Sequence, residues 1–563
     1  MSALISVKNL HVEFKTKDLF VKAVQGCSFN IAQGETLGLV GESGSGKSVT
    51  ALSLMRLIPS PPGHITGGEI VLEGKNLLTF SENQMRKVRG NRISMIFQEP
   101  MTSLNPVFTI GYQIDEALIL HQNLSKKEAR EKTVELLDQV GIDEPLKRAS
   151  SYPHELSGGQ RQRAMIAMAI ACRPELLIAD EPTTALDVTI QKQILELLKD
   201  LQKKLNMSML FISHDLGIIA EIAQTVAVMQ KGQIVEIGKT GEIFQKAKHP
   251  YTKGLIACRP SLNVTTDRLP TVEDFLQTGT VSPESLKSNI KREFSKENLL
   301  EVKNLKKYFP LEKNFFGKPV SWIKAVDDIS LSIRKGETLG LVGESGSGKT
   351  TLGRALLRLI EPSAGQVFYD KTDILSLDKN SLKNMRRRMQ IIFQDPYASL
   401  NPRMTVGSSI MEPMIIHKVG KNKEERIHKT EELMEQVGLK KNMIHRYPHE
   451  FSGGQRQRIC IARAISIQPE FIVCDESVSS LDVSIQAQIL NLLKDLQDKF
   501  NLTYIFISHD LTVVKFISDQ VAVMHKGRVV EQNSSEEIYR NPSHDYTKQL
   551  INAIPTGFSS AIA

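Results

Sequence analysis

Fourteen residues constrain this chain more than any others: Gly34 to Lys47 reads GETLGLVGESGSGK, and Gly336 to Lys349 repeats it letter for letter, 349 − 47 = 302 positions later. Inside each copy lies G-x-x-x-x-G-K-[ST], at Gly41 to Ser48 and at Gly343 to Thr350. Its glycines let successive backbone amides curl around a polyphosphate. An apolar run precedes each copy, Thr36 to Val40 and Thr338 to Val342, and a helical pattern follows. A bound phosphate would therefore sit on a helix N-terminus, where unpaired amides and the helix dipole favour an anion. A Gly-rich surface turn accounts for neither the Lys-Ser/Thr ending nor the duplication. A dinucleotide fingerprint is excluded as well, because G-x-G-x-x-G needs a third glycine where Val49 and Thr351 stand.

The duplication extends well past the loop. Every later landmark of the first half returns at a nearly constant offset: 394 − 98 = 296 for two strand-ending glutamines, 453 − 158 = 295 for the glycines of an SGGQ run, 476 − 181 = 295 for Asp-Glu pairs, and 509 − 214 = 295 for two histidines. The loop offset is larger because the second half inserts residues around KNFFGKPVSW (Lys313 to Trp322) and loses some before Gln394. A chain of 563 residues is too long for one core, so two tandem domains are expected, 1–258 and 299–555, with a polar linker over 259–298 and a short tail over 556–563.

Within each half the pattern of the first can be followed in order. Ile5 to Phe14 and Val21 to Ile31 alternate as an antiparallel strand pair, Pro59 to Gly68 reads as a turn, and Arg92 to Phe97 as a strand ending at Gln98. Amphipathic helical spacing over Ile114 to His121 and Lys126 to Val140 marks a helical subdomain, about 99–170, with its counterpart at about 395–465. Strand, Asp-Glu, helix and strand then alternate, which requires a parallel sheet covered by helices. The fold class expected is α/β: two P-loop NTPase domains, each with a mostly parallel core, an antiparallel β subdomain and a helical subdomain.

Composition excludes other classes. Hydrophobic content of 41% and charged content of 24% are those of an ordinary globular protein. A net charge of +8 is mild for this length, so nucleic acid is not an expected partner. The five cysteines (Cys27, Cys172, Cys258, Cys460, Cys474) form no C-x-x-C pair and lie mostly in apolar runs, as buried thiols of a reducing compartment do. Neither a leader-like apolar stretch nor a membrane-spanning one is present, so a membrane role is expected to run through partners.

The landmarks supply every part that ATP hydrolysis needs, which is mostly positioning and charge stabilisation. Backbone and side chains of Gly41, Ser43, Gly44, Gly46 and Lys47, with Gly343, Ser345, Gly346, Gly348 and Lys349, form two phosphate cradles whose lysines reach the β- and γ-phosphates. The hydroxyls of Ser48 and Thr350 suit Mg²⁺, as do Asp180 and Asp475, which end the apolar strands LLIAD and FIVCD at the carboxyl edge of the sheet. Glu181 and Glu476 follow as candidates for polarising the attacking water. His214 and His509, each after Phe-Ile-Ser, are candidates for contacting the γ-phosphate or orienting that water. Phe14 and Phe309 are read either as adenine stackers or as strand-core residues. Ser157-Gly158-Gly159 and Ser452-Gly453-Gly454 open a second helix N-terminus in each half, a second anion-binding device. One nucleotide does not need both devices from one domain, which favours a head-to-tail pair of halves.

These motifs, in fixed order twice over, resemble the nucleotide-binding subunits of ABC transporters. FQEPMTSLNP (Phe97 to Pro106), FQDPYASLNP (Phe393 to Pro402) and the tail motif HPYT (His249 to Thr252) are similar to the peptide and nickel importer branch, here as a fused double ATPase. The resemblance implies that Ser157 to Gly159 complete the site of Lys349 and Ser452 to Gly454 that of Lys47. It also implies that Gln98 and Gln394 sense the γ-phosphate beside the bound Mg²⁺. Implied partners are two membrane permease subunits and an extracytoplasmic substrate-binding protein, at the cytoplasmic face of a bacterial inner membrane. The implied cargo is a dipeptide, oligopeptide or glutathione, with nickel or another small solute as the alternative. A soluble twin ATPase acting on ribosomes or DNA is the competing class, but the long charged inter-half helices, zinc cysteines and coiled-coil insertions common there are not visible. Two departures stand out: Asp475-Glu476-Ser477-Val478 replaces the first half's Asp-Glu-Pro-Thr, which bears on how Asp482 is held, and the second tail reads HDYT (His544 to Thr547). Some members of the branch bind an iron–sulfur cluster near the tail; Cys258 alone cannot supply four thiolates, so none is expected.

Overall fold

The computed structural model describes residues 3–554 apart from 16–18, 99–102, 185, 263–265, 282–285, 287–293, 296, 314–318 and 480. The start of the first helical subdomain at 99, part of the KNFFGKPVSW insertion and the tail 556–563 lie outside the described residues. The chain forms two compact units, Met1–Ala257 with Val272–Thr280, and Cys258–Thr271 with Val281–Ile554.

In the first unit, β1 (Ala3–Lys15), β2 (Phe20–Ala32), β4 (Gly63–Leu72) and β5 (Lys75–Asn76) build an antiparallel sheet in the order β2-β1-β4-β5. β3 (Thr36–Val40) belongs to the second sheet together with β6 (Ile93–Ile96), β7 (Leu176–Asp180), β8 (Ser208–Ile212), β9 (Thr225–Gln230) and β10 (Gln233–Lys239). Its order is β10-β9-β3-β8-β7-β6, parallel except for the β9–β10 hairpin. All five residues of β3, β7 and β8 are buried, which is why these strands read as unbroken apolar runs. The parallel arrangement brings the carboxyl ends of β3, β7 and β8 to one edge, with Asp180 opposite Ile212 and Leu39 opposite Ile212. The core between the sheets is made of residues such as Leu10, Ile31, Leu37, Leu54 and Ile178.

One expectation is corrected here. The segment 59–68 is a turn only in its first part; from Gly63 it already pairs with β1, Phe14 opposite Gly63 and Val12 opposite Ile65. The glycines that signal a turn serve instead as room for a bulged strand. A Cβ at Gly68, whose φ is +100, would fall 2.5 Å from the Asn9 carbonyl oxygen.

The second unit repeats the plan. β11 (Asn298–Lys313), β12 (Pro319–Arg334), β14 (Ala364–Tyr369) and β15 (Thr372–Asp373) give the antiparallel sheet β12-β11-β14-β15. β13 (Thr338–Val342), β16 (Met389–Ile392), β17 (Phe471–Asp475), β18 (Thr503–Ile507), β19 (Gln520–His525) and β20 (Arg528–Ser534) order as β16-β17-β18-β13-β19-β20, the same neighbours as in the first unit. The helical subdomain of the first unit holds helices Ile110–Gln122, Lys126–Gln139 and Gly158–Ile170; that of the second holds Val406–Ile416, Lys423–Gln436 and Gly453–Ile465. All five cysteines are buried and none is in a disulfide.

The segment expected to be a plain linker is structured in part. Val272–Thr278 is a helix of the first unit, and Cys258–Thr271 is bound into the second. There the side chain of Asn491 accepts from the Leu269 amide (2.9 Å) and donates to the Leu269 carbonyl (2.8 Å), while Arg268 pairs with Asp495 and the Lys515 ammonium donates to the Leu262 carbonyl. The matching position of the first unit, Glu196, is exposed (491 − 295 = 196). Asn491→Ala leaves both backbone groups of buried Leu269 without that partner. It is expected to destabilise the second unit by about 1–3 kcal/mol, read as a lower melting temperature and faster proteolysis within 258–271.

Candidate functional site

The phosphate loop follows β3 and ends at the helix Lys47–Leu54, whose N-cap Gly46 lies at φ 103. That conformation is closed to residues with a Cβ, and a Cβ there would stand 2.5 Å from the Ala23 carbonyl oxygen. One at Gly41 would stand 2.2 Å from the carbonyl oxygen of Met229 on β9. Both glycines are therefore dictated by packing as well as by backbone angle. The second loop is built alike, with Gly348 at φ 104 and Gly343 against Met524. Lys47 is buried, and its ammonium donates to the carbonyls of Gly41 (2.7 Å) and Glu42 (2.8 Å); Lys349 does the same with Gly343 and Glu344 at equal distances.

The carboxyl edge of the sheet gathers the other polar residues. Ser48 donates to Asp180 at 3.2 Å, and Thr350 to Asp475 at 2.8 Å. Glu181, directly after β7 and at φ 48, accepts from Gln98 (3.0 Å) and from the Thr184 hydroxyl (2.9 Å), and His214 Nδ1 lies 3.1 Å from its other oxygen. Glu476, at φ 47, accepts from Gln394 (2.7 Å) and faces His509 Nδ1 at 3.6 Å. Three strand ends thus converge on one carboxylate in each unit. A non-glycine residue in this left-handed region costs about 1–3 kcal/mol unless its surroundings over-determine it, and such residues cluster at functional sites.

Neighbouring acids are driven apart. Burial raises Asp180 to about 6, opposed by the Ser48 hydroxyl and Lys47 and assisted by the charge of Glu181. For Glu181 burial acts in the same direction, but the hydrogen bond and charge of His214, the Thr184 hydroxyl and Lys47 outweigh it and bring the group to about 2. In the second unit burial raises Asp475 and His509 helps to lower Glu476 against burial. The units are not identical: Arg354 lies 3.8 Å from Asp475 where the first loop's helix has Leu52 (354 − 302), and the Ser479 hydroxyl, at the position of Thr184, makes no hydrogen bond. Asp187 caps the helix Val188–Leu205 by accepting from the Ile190 amide, whereas Asp482 makes no side-chain cap.

The remaining sequence candidates stand apart from these carboxylate clusters. Ser157 and Gly158 are exposed at the start of the helix Gly158–Ile170, where the Ser157 hydroxyl accepts from Gln160 N–H and the Gln160 side chain accepts from Ser157 N–H. Ser452 and Gln455 form the same reciprocal cap. The spacing Ser-x-x-Gln is a capping box, so SGGQ carries a local structural instruction in addition to its glycines. Phe14 is partly buried against the first core, which favours the packing alternative; Phe309 is partly buried under the Lys307 ammonium, 5.0 Å from the ring centre.

Thr184 and two tyrosines escaped the sequence reading. Tyr251 and Tyr546, inside the tail motifs, accept hydrogen bonds from the amides of Glu42 and Glu344 in the phosphate loops, both at 3.0 Å. Their signal was the offset itself, 546 − 251 = 295, the same as for the Asp-Glu pairs and the two histidines.

Two units of this geometry are ATP-binding cassettes, and the chain belongs to the ABC transporter family, whose model matches residues 24–184 and 326–479. The model described as the oligopeptide/dipeptide transporter C-terminal region matches 235–279 and 530–558. Among curated relatives, the glutathione import ATP-binding protein GsiA of Salmonella paratyphi A is 50% identical over 560 residues, covering 98% of this chain and 89% of the relative. That of Escherichia coli K12 is 49% identical over 564 residues, with the same coverage. Among solved structures, the ATP-binding cassette MJ0796 in a dimeric state with ADP and Pi is 28% identical, covers 42% of this chain and 98% of its own, and has a TM-score of 0.39. The protein is accordingly an ATP-binding ATPase coupled to transport, two cassettes in one chain, working with membrane permease subunits. Among the described residues no helix is long and apolar enough to cross a membrane.

Proposed function

We propose that the chain hydrolyses two ATP per cycle to energise import of a small peptide-like solute, with glutathione the first to test, the cargo being delivered by an extracytoplasmic binding protein. It would act as a peripheral subunit at the cytoplasmic face of the inner membrane. The observation that carries the reading is the Gln–Glu–His cluster at the carboxyl edge of both sheets, Gln98–Glu181–His214 and Gln394–Glu476–His509. The identity to glutathione import ATPases along 98% of the chain supports the cargo.

In this reading Lys47 and Lys349 leave the loop carbonyls for the β- and γ-phosphates, and the loop amides wrap the anion. The donor sets Ser48–Asp180 and Thr350–Asp475, with Gln98 and Gln394 beside them, fit a hard divalent cation. When bound, Mg²⁺ would neutralise phosphate charge. Glu181 and Glu476 orient the attacking water, and their low proton affinity keeps them ionised, so they act by charge and hydrogen bonding. His214 and His509 fix those carboxylates and face the γ-phosphate. The helix N-terminus at Ser157 to Gly159 would close on the nucleotide at Lys349, and that at Ser452 to Gly454 on the nucleotide at Lys47.

Uptake of labelled glutathione, dipeptides and nickel by cells with and without the gene tests the cargo; uptake of none of them would refute it. The pairing has its own test. Ser452→Arg is expected to abolish turnover at the Lys47 site, read in a background where Lys349→Ala silences the other loop; full turnover there would reject the exchange of signatures between cassettes.

A further inference from the structure

We propose that Tyr251 and Tyr546 are positioning residues of the two phosphate loops, through which the tail segment of each cassette sets that loop's affinity for nucleotide. The proposal rests on the ATP-binding reading above and adds to it a source of affinity outside the loop.

The construction begins in the β9–β10 and β19–β20 hairpins. Glu236 on β10 accepts from the amides of Lys248 (2.8 Å) and His249 (3.1 Å), which fixes the turn entering the helix Pro250–Ala257. His249 Nδ1 then accepts from the Tyr251 amide at 3.2 Å. The turn before the second tail helix is held in the same manner: Glu531 on β20 accepts from the amides of Ser543 (2.7 Å) and His544 (3.1 Å), and His544 Nδ1 from that of Tyr546 (3.1 Å). Each tyrosine is thereby delivered in one orientation. Tyr251 is fully buried and Tyr546 nearly so, at 0% and 8% exposure, and each hydroxyl reaches the amide of the second residue of a phosphate loop.

That residue is gripped from both sides. The N–H of Glu42 is held by Tyr251, and its carbonyl by the Lys47 ammonium; Glu344 is held likewise by Tyr546 and Lys349. When the lysine turns to phosphate, the tyrosine bond stays, beside the loop's own bond from Ser45 N–H to the Glu42 carbonyl (3.1 Å) and from Ser347 N–H to that of Glu344 (3.2 Å), so the loop keeps its curvature without help from its own lysine. A loop held in its binding conformation loses less freedom on binding, and that difference is read as affinity. The arrangement occurs twice, on residues 295 positions apart, although the surrounding tail motifs differ, HPYT against HDYT.

The test uses the full chain and the variants Y251F, Y546F and the double substitution, which remove one or both hydroxyls and keep the rings. Titration with a fluorescent ATP analogue is expected to give about three- to tenfold weaker binding at the altered cassette, with KM raised by a similar factor and kcat changed less than twofold. Amide hydrogen exchange of the peptide spanning residues 41–47 is expected to speed up in Y251F, without nucleotide present. A lower melting temperature with unchanged affinity and unchanged exchange would assign the tyrosines to tail stability alone and overturn the proposal. Absence of nucleotide binding by the unaltered chain would instead overturn the ATP reading, and the exchange arm would still decide whether the tyrosine holds the loop.

Discussion

Replacing Glu181 and Glu476 together by glutamine is expected to lower ATP hydrolysis by about 10²–10⁴-fold while ATP binding persists. The amide is isosteric, so Gln98, Thr184 and His214 keep a partner, but the negative charge proposed to orient water is gone. Each tenfold corresponds to about 1.4 kcal/mol of barrier, so the carboxylate is asked to supply about 3–5 kcal/mol in each cassette. The single variants should differ: the Thr184 hydroxyl braces Glu181, and Glu476 has no equivalent brace from Ser479. Phosphate release by the assembled transporter checks the double variant, and turnover within threefold of the unaltered protein would remove both glutamates from the chemistry. With Glu181 held at about 2, activity lost between pH 7 and pH 5 cannot arise from its protonation. By the same linkage, its ionised form stabilises the folded state above the ordinary glutamate range near 4.5. That contribution fades only as the pH falls towards 2.

Gly348→Ala should be the most damaging change of a single atom group in the second phosphate loop. Its Cβ would stand 1.9 Å from the Ala325 carbonyl oxygen, and the residue lies at φ +104, where L-residues are strained. Neither the β12 backbone nor the helix starting at Lys349 can retreat without breaking the loop. We expect a loss of about 3–5 kcal/mol in the second unit and no nucleotide bound there. Gly346→Ala is the matched control. It too has positive φ, +79, but nothing lies within 4 Å of the added carbon, so only backbone strain of about 1–2 kcal/mol remains. Thermal melts and nucleotide titration of the two variants separate crowding from strain; equal losses would show that crowding does not matter.

Where sequence legibility was high, one local rule acted alone. β3 and β13 could be bounded to the residue because a five-residue apolar run ends in a glycine loop, and Asp180 and Asp475 end strands because buried parallel strands leave their first polar residue at the sheet edge. Legibility failed where two rules competed. Gly63, Gly67 and Gly68 have turn chemistry, but pairing with β1 decides their structure. The glycines of SGGQ suggest an anion device, and because they occupy the first two helical positions they mask the capping box that starts the helix. The Gln–Glu–His cluster was legible only as separate strand ends. Their convergence needed the strand order, which places β8 beside β7 and β7 beside β6. Tyr251 was invisible as a site residue because its partner is a main-chain amide 209 positions away, and no pattern of side chains records such a bond.

The grip of Asn491 on Leu269 fixes where this chain can be cut. Dividing it at the repeat boundary, just before the strand that starts at Asn298, would strip the second cassette of residues 258–271. Its helix Val483–Phe500 would then be left with a buried amide facing water, and the Asp495–Arg268 pair and the Lys515 bond to Leu262 would be lost. A scission between Ala257 and Cys258 keeps that segment with the second cassette but takes the helix Val272–Thr278 from the first, so no single cut between the repeats spares both. Gene fission or proteolytic maturation would cost one cassette a segment wherever it fell there, so the two cassettes alternate along the polypeptide where the repeat alone would separate them.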